Sequence, residues 1–498
     1  MPAYLAVDLG AESGRVLRGD FDGSRLVVEE VHRFTNGPVR HHNGLYWDVE
    51  TLYAEALDGI ARGTHRGPGV RSVGVDGWGN DFGLLDGAGA LLAPPWHHRT
   101  SRTAGMVARL LAHIDPDELY AVTGTQFLPI TMACQLLAMR GSAPLAHAER
   151  LATVPDLFAS WLSGRPVSER TIASTSQLWD IRQAQWATGL IERLGLPGHL
   201  FAGEVLAPGT PVGPMRDDRL PAGTPSPTVV AVAGHDTACA VAAVPATSPR
   251  FGYVSCGTWS LVGLETRDPI TTPRARLAQF TNEAGVDGTV RFLSNVNGLW
   301  LLQECRRVWA QSGERPGYPA LIGDAGRAPA YRSLIDPDDP SLLGAGDMPA
   351  RIAALCRATG EPVPGDRGGV VRCILDSLAC KYRWVLDRGA ALVGRPVDVV
   401  HLVGGGTANP LLCQQTADVT GRPVVAGPVE ATGVGNLLVQ AMADGLLGGL
   451  ADIRAVVAAS FPLRTYEPPD RRDRAEDAYR RFERIVEDRA SAPAGTGR

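Results

Sequence analysis

The chain has 498 residues, 44% of them hydrophobic, which is more than one core usually organises, so two domains with a cleft between them are expected. Its 48 basic and 53 acidic residues leave a formal charge of -5 with no long run of either sign, which argues against nucleic acid or an anionic membrane as partner and favours small molecules. A single lysine, Lys381, sits inside a helical pattern, which excludes both a Walker loop and the strand lysine of a protein kinase.

Any phosphate must therefore be held by backbone amides, hydroxyls and magnesium. The opening residues lack the basic region and apolar run of a secretory signal, and no apolar stretch is long enough to span a bilayer, so a cytoplasmic location is expected. The eight cysteines are scattered without a CxxC and read as reduced, mostly buried thiols, with no pairing expected for Cys356 and Cys373.

Along the chain, Leu5-Ala6-Val7-Asp8-Leu9-Gly10 is an apolar strand that delivers an aspartate into a turn, and Arg15-Val16-Leu17 resumes a strand, which makes a hairpin. Its turn offers the amides of Ala11, Ser13 and Gly14, the Ser13 hydroxyl and the Arg15 cation, a set that can nest one phosphate group. Asp8 can hold Mg2+ directly or through water, because that hard cation prefers carboxylate oxygen and keeps part of its hydration. An ordinary hairpin whose aspartate caps the turn stays open as the alternative.

Trp47-Asp48, Trp78-Gly79-Asn80-Asp81-Phe82 and Gln126-Phe127 each combine a flat apolar surface with polar groups, which suits a sugar, although each aromatic alone is read first as core. The pairs His41-His42 and His97-His98 lack metal-ligand spacing and read as surface or loop residues. Residues 229–232 form a short β-rich run, Gly234-His235-Asp236-Thr237 a loop, residues 238–243 a helix start and residues 245–249 a linker. A carboxylate presented there, after a buried strand and before a helix, can take a hydroxyl proton during phosphoryl transfer, though as a helix cap alone it would be unremarkable.

A second hairpin, turning through Cys256-Gly257-Thr258-Trp259, supplies further amides and the Thr258 hydroxyl, and two such hairpins far apart point to two related domains. Residues 373–388 space their apolar side chains as a packed amphipathic helix. Residues 399–403 form a buried strand that ends in Gly404-Gly405-Gly406, where bare backbone suits a nucleotide or merely a close-packed turn. Strands alternating with helices give an α/β class.

Taken in order, Asp8 through Arg15, Gly77-Trp78-Gly79-Asn80-Asp81-Phe82, Gly234-His235-Asp236-Thr237, Ser255-Cys256-Gly257-Thr258-Trp259-Ser260, residues 295–303 and Gly404-Gly405-Gly406 resemble the FGGY carbohydrate kinases. The likeness extends nearly end to end, through Asn36-Gly37, Gln126-Phe127-Leu128-Pro129, Phe280-Thr281-Asn282-Glu283 and residues 426–431. The resemblance implies two ribonuclease H-like domains of the actin-like ATPase architecture around a central cleft, with residues 1–244 binding sugar, residues 245–490 binding nucleotide and residues 491–498 a disordered tail. It implies ATP and Mg2+ as cofactors and a monomer or small homo-oligomer that phosphorylates the 1-hydroxyl of L-rhamnulose.

Carried over by position, Asp236 resembles the proton acceptor, Gly79, His235, Thr237 and Asn295 the sugar contacts, and Ala11, Glu12, Ser13, Gly14, Arg15, Thr258, Gln303 and Gly405 the ATP contacts. Thr100 stands where these kinases usually carry an aspartate, and Ile130-Thr131-Met132 replaces an expected Phe-Asn-Thr, so another ketose or a polyol such as L-fuculose or xylulose stays open as acceptor. Competing readings are a non-catalytic sensor on the same fold, against which Asp8 and Asp236 argue, and an actin-like ATPase that needs no sugar.

Overall fold

All seven side chains of the strand Ala3–Leu9 are buried, as in a strand covered on both faces. In this computed structural model, which describes residues 1–41, 44–67, 69–216 and 226–491, that strand is central to a six-stranded sheet. The order runs Thr210–Pro214, Thr228–Ala231, Val70–Gly77, Ala3–Leu9, Ser13–Phe21, Leu26–Thr35. Ala3–Leu9 pairs antiparallel with Ser13–Phe21, setting Asp8 opposite Arg15, and parallel with Val70–Gly77, setting Asp8 beside Asp76. The edge strand Leu26–Thr35 exposes most of one face, the burial expected where a sheet ends in solvent.

The chain divides into two units, the first formed by Met1–Thr247, Glu265–Phe292 and Glu430–Phe461, the second by Ser248–Leu264, Leu293–Val429 and the residues from Pro462 onward. The first unit thus recruits two segments from the second half of the sequence. One of them, the helix Ala431–Ala443, lies against the helix Asp236–Ala242 so closely that a Cβ on Gly435 would come within 1.9 Å of the Cys239 carbonyl oxygen. The same helix reaches into the sheet: Asn436 donates to Asp76 at 2.7 Å, Gln440 donates to the Leu5 carbonyl at 2.9 Å, and Ser72 donates to Gln440 at 2.7 Å.

A second sheet, most of whose residues belong to the second unit, has seven strands in the order Thr281–Ala284, Val290–Asn297, Trp259–Thr266, Phe251–Cys256, Val399–Val403, Val424–Ala426, Arg464–Tyr466. It opens, like the first, on an antiparallel hairpin, with Cys256 opposite Ser260, and continues with parallel partners to one side, Phe251–Cys256 on Val399–Val403 and Val399–Val403 on Val424–Ala426. The helix expected over residues 373–388 is part of a longer one, Arg367–Val393, capped at its start by the Asp366 side chain and ended by the left-handed Gly394. Both units are mixed α/β, each with helices packed on a twisted sheet.

All eight cysteines are buried and free of disulfides, with the Cys356 and Cys373 thiols in hydrogen-bond contact. Among the described residues no helix is long and apolar enough to cross a membrane. His42 lies outside the described residues, as does the tail expected over 491–498 apart from Ser491, which closes the helix Asp473–Ser491.

Candidate active site

In the first unit the strand Thr228–Ala231 runs into Gly234, and His235 stands at the N-terminus of the helix Asp236–Ala242. The loop between them is pinned from below. Gly77 donates to the Gly234 carbonyl at 2.9 Å, the Gly234 amide donates to Glu169 at 2.9 Å, and the His235 amide donates to the Thr171 hydroxyl at 3.2 Å. Burial raises the Glu169 carboxyl, and bonds from Thr171, Gly234 and Ile172 oppose the rise.

The hydrogen bonds given to Asp236 end on Oδ1, which accepts from the Thr237 amide at 2.5 Å and the Thr237 hydroxyl at 3.1 Å. Desolvation by the surrounding protein raises this carboxyl although 31% of its side chain meets solvent; the nearby His235 lowers it, and the charge of Asp8 adds to the rise. Asp8 itself is ion-paired, taking Arg15 at 2.7 Å, and Arg15 also contacts Glu430. The hairpin turn is clamped by Asn36, whose side chain donates to the Gly10 carbonyl at 2.7 Å and whose amide donates to the Glu12 carbonyl at 3.0 Å.

Beside Asp8, Asp76 is fully buried. One of its oxygens takes Asn436, while Oδ1 has no hydrogen-bond partner. Burial raises its carboxyl well above the ordinary range and the charge of Asp8 adds to it. Two carboxylates on adjacent strands with an orphaned buried oxygen fit a hydrated divalent cation, so the residues present are compatible with Mg2+. Among the described residues, no three His, Cys, Asp or Glu side chains converge closely enough to hold a metal by themselves.

Next in the first unit stands an aromatic wall organised by Asp81. Its carboxylate accepts from Trp47 Nε1 at 2.6 Å, Trp78 Nε1 at 3.0 Å and Gln135 at 2.9 Å, and lies 2.8 Å from His98 Nδ1. His97 stacks on Trp47 at 4.3 Å and on His98 at 4.6 Å. Both histidines lie on a loop, as expected, but they are buried, which corrects the surface reading: a buried carboxylate needs donors, and the tandem histidines supply one ring as donor and one as packing. Burial and the neighbouring His98 push His97 down to about 3, so it is neutral. Asn80, beside this wall, holds its Oδ1 buried with no hydrogen-bond partner, and its φ is 73°.

In the second unit the turn at Gly257 is closed by its amide on the Trp259 carbonyl at 2.8 Å. The Leu299 and Trp300 amides donate to the Gly257 and Thr258 carbonyls at 3.0 and 3.1 Å, which docks the helix Trp300–Gln311 on the turn and brings Gln303 Nε2 to 3.4 Å from the Thr258 hydroxyl. The glycine run packs against the same turn: a Cβ on Gly406 would come within 2.3 Å of Cys256 Sγ, whereas one on Gly405 would meet nothing within 4 Å.

Residues 3–243 match the N-terminal domain, and residues 252–443 the C-terminal domain, of the FGGY family of carbohydrate kinases. A rhamnulokinase of Bacteroides thetaiotaomicron is 42% identical over 94% of this chain and 96% of its own, and one of Pectobacterium atrosepticum is 40% identical over 99% and 98%. The chain belongs to the FGGY family of carbohydrate kinases. Crystal structures with the same fold include a gluconate kinase of Lactobacillus acidophilus, at TM-score 0.80 and 14% identity with 99% of both chains covered. A glycerol kinase of Plasmodium falciparum with ADP superposes at TM-score 0.77 and 13% identity, again with 99% of both chains covered.

Within this sugar-kinase fold, Asp8, Ala11 through Arg15, Gly79, His235, Asp236 and Thr237 all belong to the first unit. Thr258, Gln303 and Gly405 belong to the second, where Thr258 and Gln303 touch. Asn295, on the strand Val290–Asn297, also falls in the second unit, unlike the other residues carried over as sugar contacts. Roles for Asp76, Glu169, Arg291 and Glu430 escaped the sequence reading. For Asp76 a signal existed: Val75-Asp76-Gly77 repeats, at the end of another buried strand, the pattern of Val7-Asp8 before Gly10.

Proposed function

We propose that this chain transfers the γ-phosphoryl group of Mg-ATP to the 1-hydroxyl of L-rhamnulose, giving L-rhamnulose 1-phosphate, and that it does so in the cytoplasm as a step of rhamnose catabolism. The substrate is supported by the rhamnulokinases that match at about 40% identity over nearly the whole chain. The chemistry rests on one observation, the Asp236 carboxylate at a helix N-terminus with its bonds gathered on Oδ1 and its basicity raised by its surroundings.

In this reading Asp236 accepts the hydroxyl proton as the oxygen attacks, and a base of raised pKa is better matched to that task at neutral pH. Gly79, His235, Thr237 and Asn295 hold the sugar, and the partnerless Asn80 Oδ1 offers one more acceptor to its hydroxyls. The turn from Ala11 to Gly14 cradles phosphate oxygens with its amides and the Ser13 hydroxyl, while Arg15 adds positive charge; Thr258, Gln303 and Gly405 hold the rest of the nucleotide. Asp8 and Asp76 would hold Mg2+, which when bound offsets the charge that builds up on the transferring group.

The test is ADP release with Mg-ATP over L-rhamnulose, L-fuculose, xylulose and glycerol, with Asp236→Asn beside the wild type. L-Rhamnulose is expected to give the highest kcat/KM, and Asp236→Asn to lower kcat by roughly 10²–10⁴-fold with nucleotide affinity nearly unchanged. Equal turnover by the variant would refute the assignment of the base.

A further inference from the structure

Behind the Gly-His-Asp-Thr loop lies a charged cluster that the proposed reaction leaves without a task. Arg291 is fully buried, Glu283 nearly so, and both belong to the first unit with His235. Arg291 Nε donates to the Ala284 carbonyl at 3.1 Å, Nη1 lies 2.9 Å from Glu283 Oε2, and Nη2 lies 3.1 Å from His235 Nδ1. Glu283 Oε2 is itself 3.2 Å from His235 Nδ1, and on the other side of the ring Nε2 lies 3.5 Å from Asp236 Oδ1.

Removing a full guanidinium and a carboxylate from water costs several kcal/mol per ion, and replacing such a pair by apolar residues is often neutral or stabilising. Stability therefore does not account for this pair, and what it faces is one nitrogen of one histidine. A guanidinium can only donate and an ionised carboxylate can only accept, so the two compete for opposite states of Nδ1. Nη1 and Glu283 Oε2 are ion-paired without hydrogen-bond geometry, whereas Nη2 has that geometry toward Nδ1 and finds an acceptor there only if Nδ1 is unprotonated. Burial alone would raise the Glu283 carboxyl, but the Arg291 guanidinium overcomes this and holds it below the ordinary range, so it stays an anion that anchors the guanidinium.

We propose that Arg291, anchored by Glu283, is a positioning residue that fixes His235 as the tautomer with its proton on Nε2. That proton faces Asp236 Oδ1, the oxygen that Thr237 already occupies as donor. With three donors directed at Oδ1, the carboxylate is held as an anion and turned so that Oδ2 is the oxygen left to receive a proton. The 3.5 Å separation is long for a hydrogen bond, and the proposal requires it to close as the proton is transferred. The inference rests on Asp236 being the base but not on which sugar is phosphorylated.

The decisive measurement is two-bond ¹H–¹⁵N correlation of the imidazoles in the ¹⁵N-histidine-labelled full chain, with His235 assigned by loss of its signals in His235→Gln. An Nε2-protonated ring is expected in the wild type, and a neutral ring protonated at Nδ1 would overturn the proposal whatever sugar the enzyme uses. Arg291→Met removes the donor and is expected to move the proton to Nδ1, toward Glu283. Because that variant leaves a buried anion alone and can fail to fold, Glu283→Gln is measured in parallel by kinetics, with the sugar the wild type turns over fastest. Glu283→Gln is expected to lower kcat about tenfold or more while KM changes less than threefold, and to lose this effect in the His235→Gln background, where no tautomer exists. An equal loss of kcat in both backgrounds would mean a structural role and would overturn the proposal. Failure of the wild type on L-rhamnulose with turnover of another sugar would remove the substrate reading and leave the cycle to be run on that sugar.

Discussion

Asp81 shows how one residue can carry a wall. Two indole N–H groups, a glutamine amide and a histidine ring converge on it, and all are removed from water. Burial pushes its carboxyl up, but His98 and Gln135 pull it below the ordinary range, so it is ionised and every donor keeps an anionic acceptor. Asp81→Ala therefore leaves several buried donors unpaired at once. A loss on the order of 3–5 kcal/mol in urea-unfolding free energy is expected, far above the cost of removing an exposed aspartate. The sequence marked the Trp47 and Trp78 segments separately as mixtures of apolar surface and polar groups, with each aromatic read first as core; that one aspartate bonds both indoles and a histidine from another loop depends on contacts that no spacing encodes.

At the scale of elements, the helix Ala431–Ala443 sets where the helix beginning at Asp236 can lie. Gly435→Ala forces a methyl against the Cys239 carbonyl, so the two helices must move apart; a destabilisation of about 1–3 kcal/mol is expected, accompanied by a fall in kcat because Asp236 rides on the displaced helix. Gly405→Ala is the contrast. Its methyl meets nothing within 4 Å, so the melting temperature is expected to stay within about a degree while the KM for ATP rises; an unchanged KM would remove Gly405 from the nucleotide contacts.

The long helix Arg367–Val393 carries a pH-dependent element of stability at Asp376. Burial raises this carboxyl from 3.8 to about 6 despite Arg372, the Tyr331 amide and Gln415. Because the folded value is the higher one, the unfolded chain ionises first, so the contribution of Asp376 is complete below pH 3.8 and falls as pH rises through 6. The loss amounts to at most about 3 kcal/mol. Denaturation curves of the wild type and of Asp376→Asn, compared at pH 4 and 6.5, are expected to show that the wild type alone loses this increment.

For the molecule as a whole, ligand binding is read out as a gain in stability. Mg-ADP at about a hundred times its dissociation constant is expected to stabilise the protein by about 2.7 kcal/mol. Chelation by EDTA is expected to remove the magnesium-dependent part, and Asp8→Asn to abolish the difference between the two conditions. An unchanged thermal shift in EDTA would take the metal away from Asp8 and Asp76.

Much of this protein was legible in one dimension, because hairpin turns, strand ends and helix starts are local and their glycines, aspartates and hydroxyls are contiguous in sequence. The α/β class, the two hairpins and the loop that presents Asp236 follow from patterns of a few residues and from likeness to a family. The partners of those residues did not follow. Asp76 beside Asp8, Glu169 under Gly234, Glu430 on Arg15 and the Arg291–Glu283 pair behind His235 meet only when strands and segments distant in sequence come together. Local chemistry chooses the groups that react, whereas their charge state and aim depend on burial and on neighbours that only the folded chain supplies.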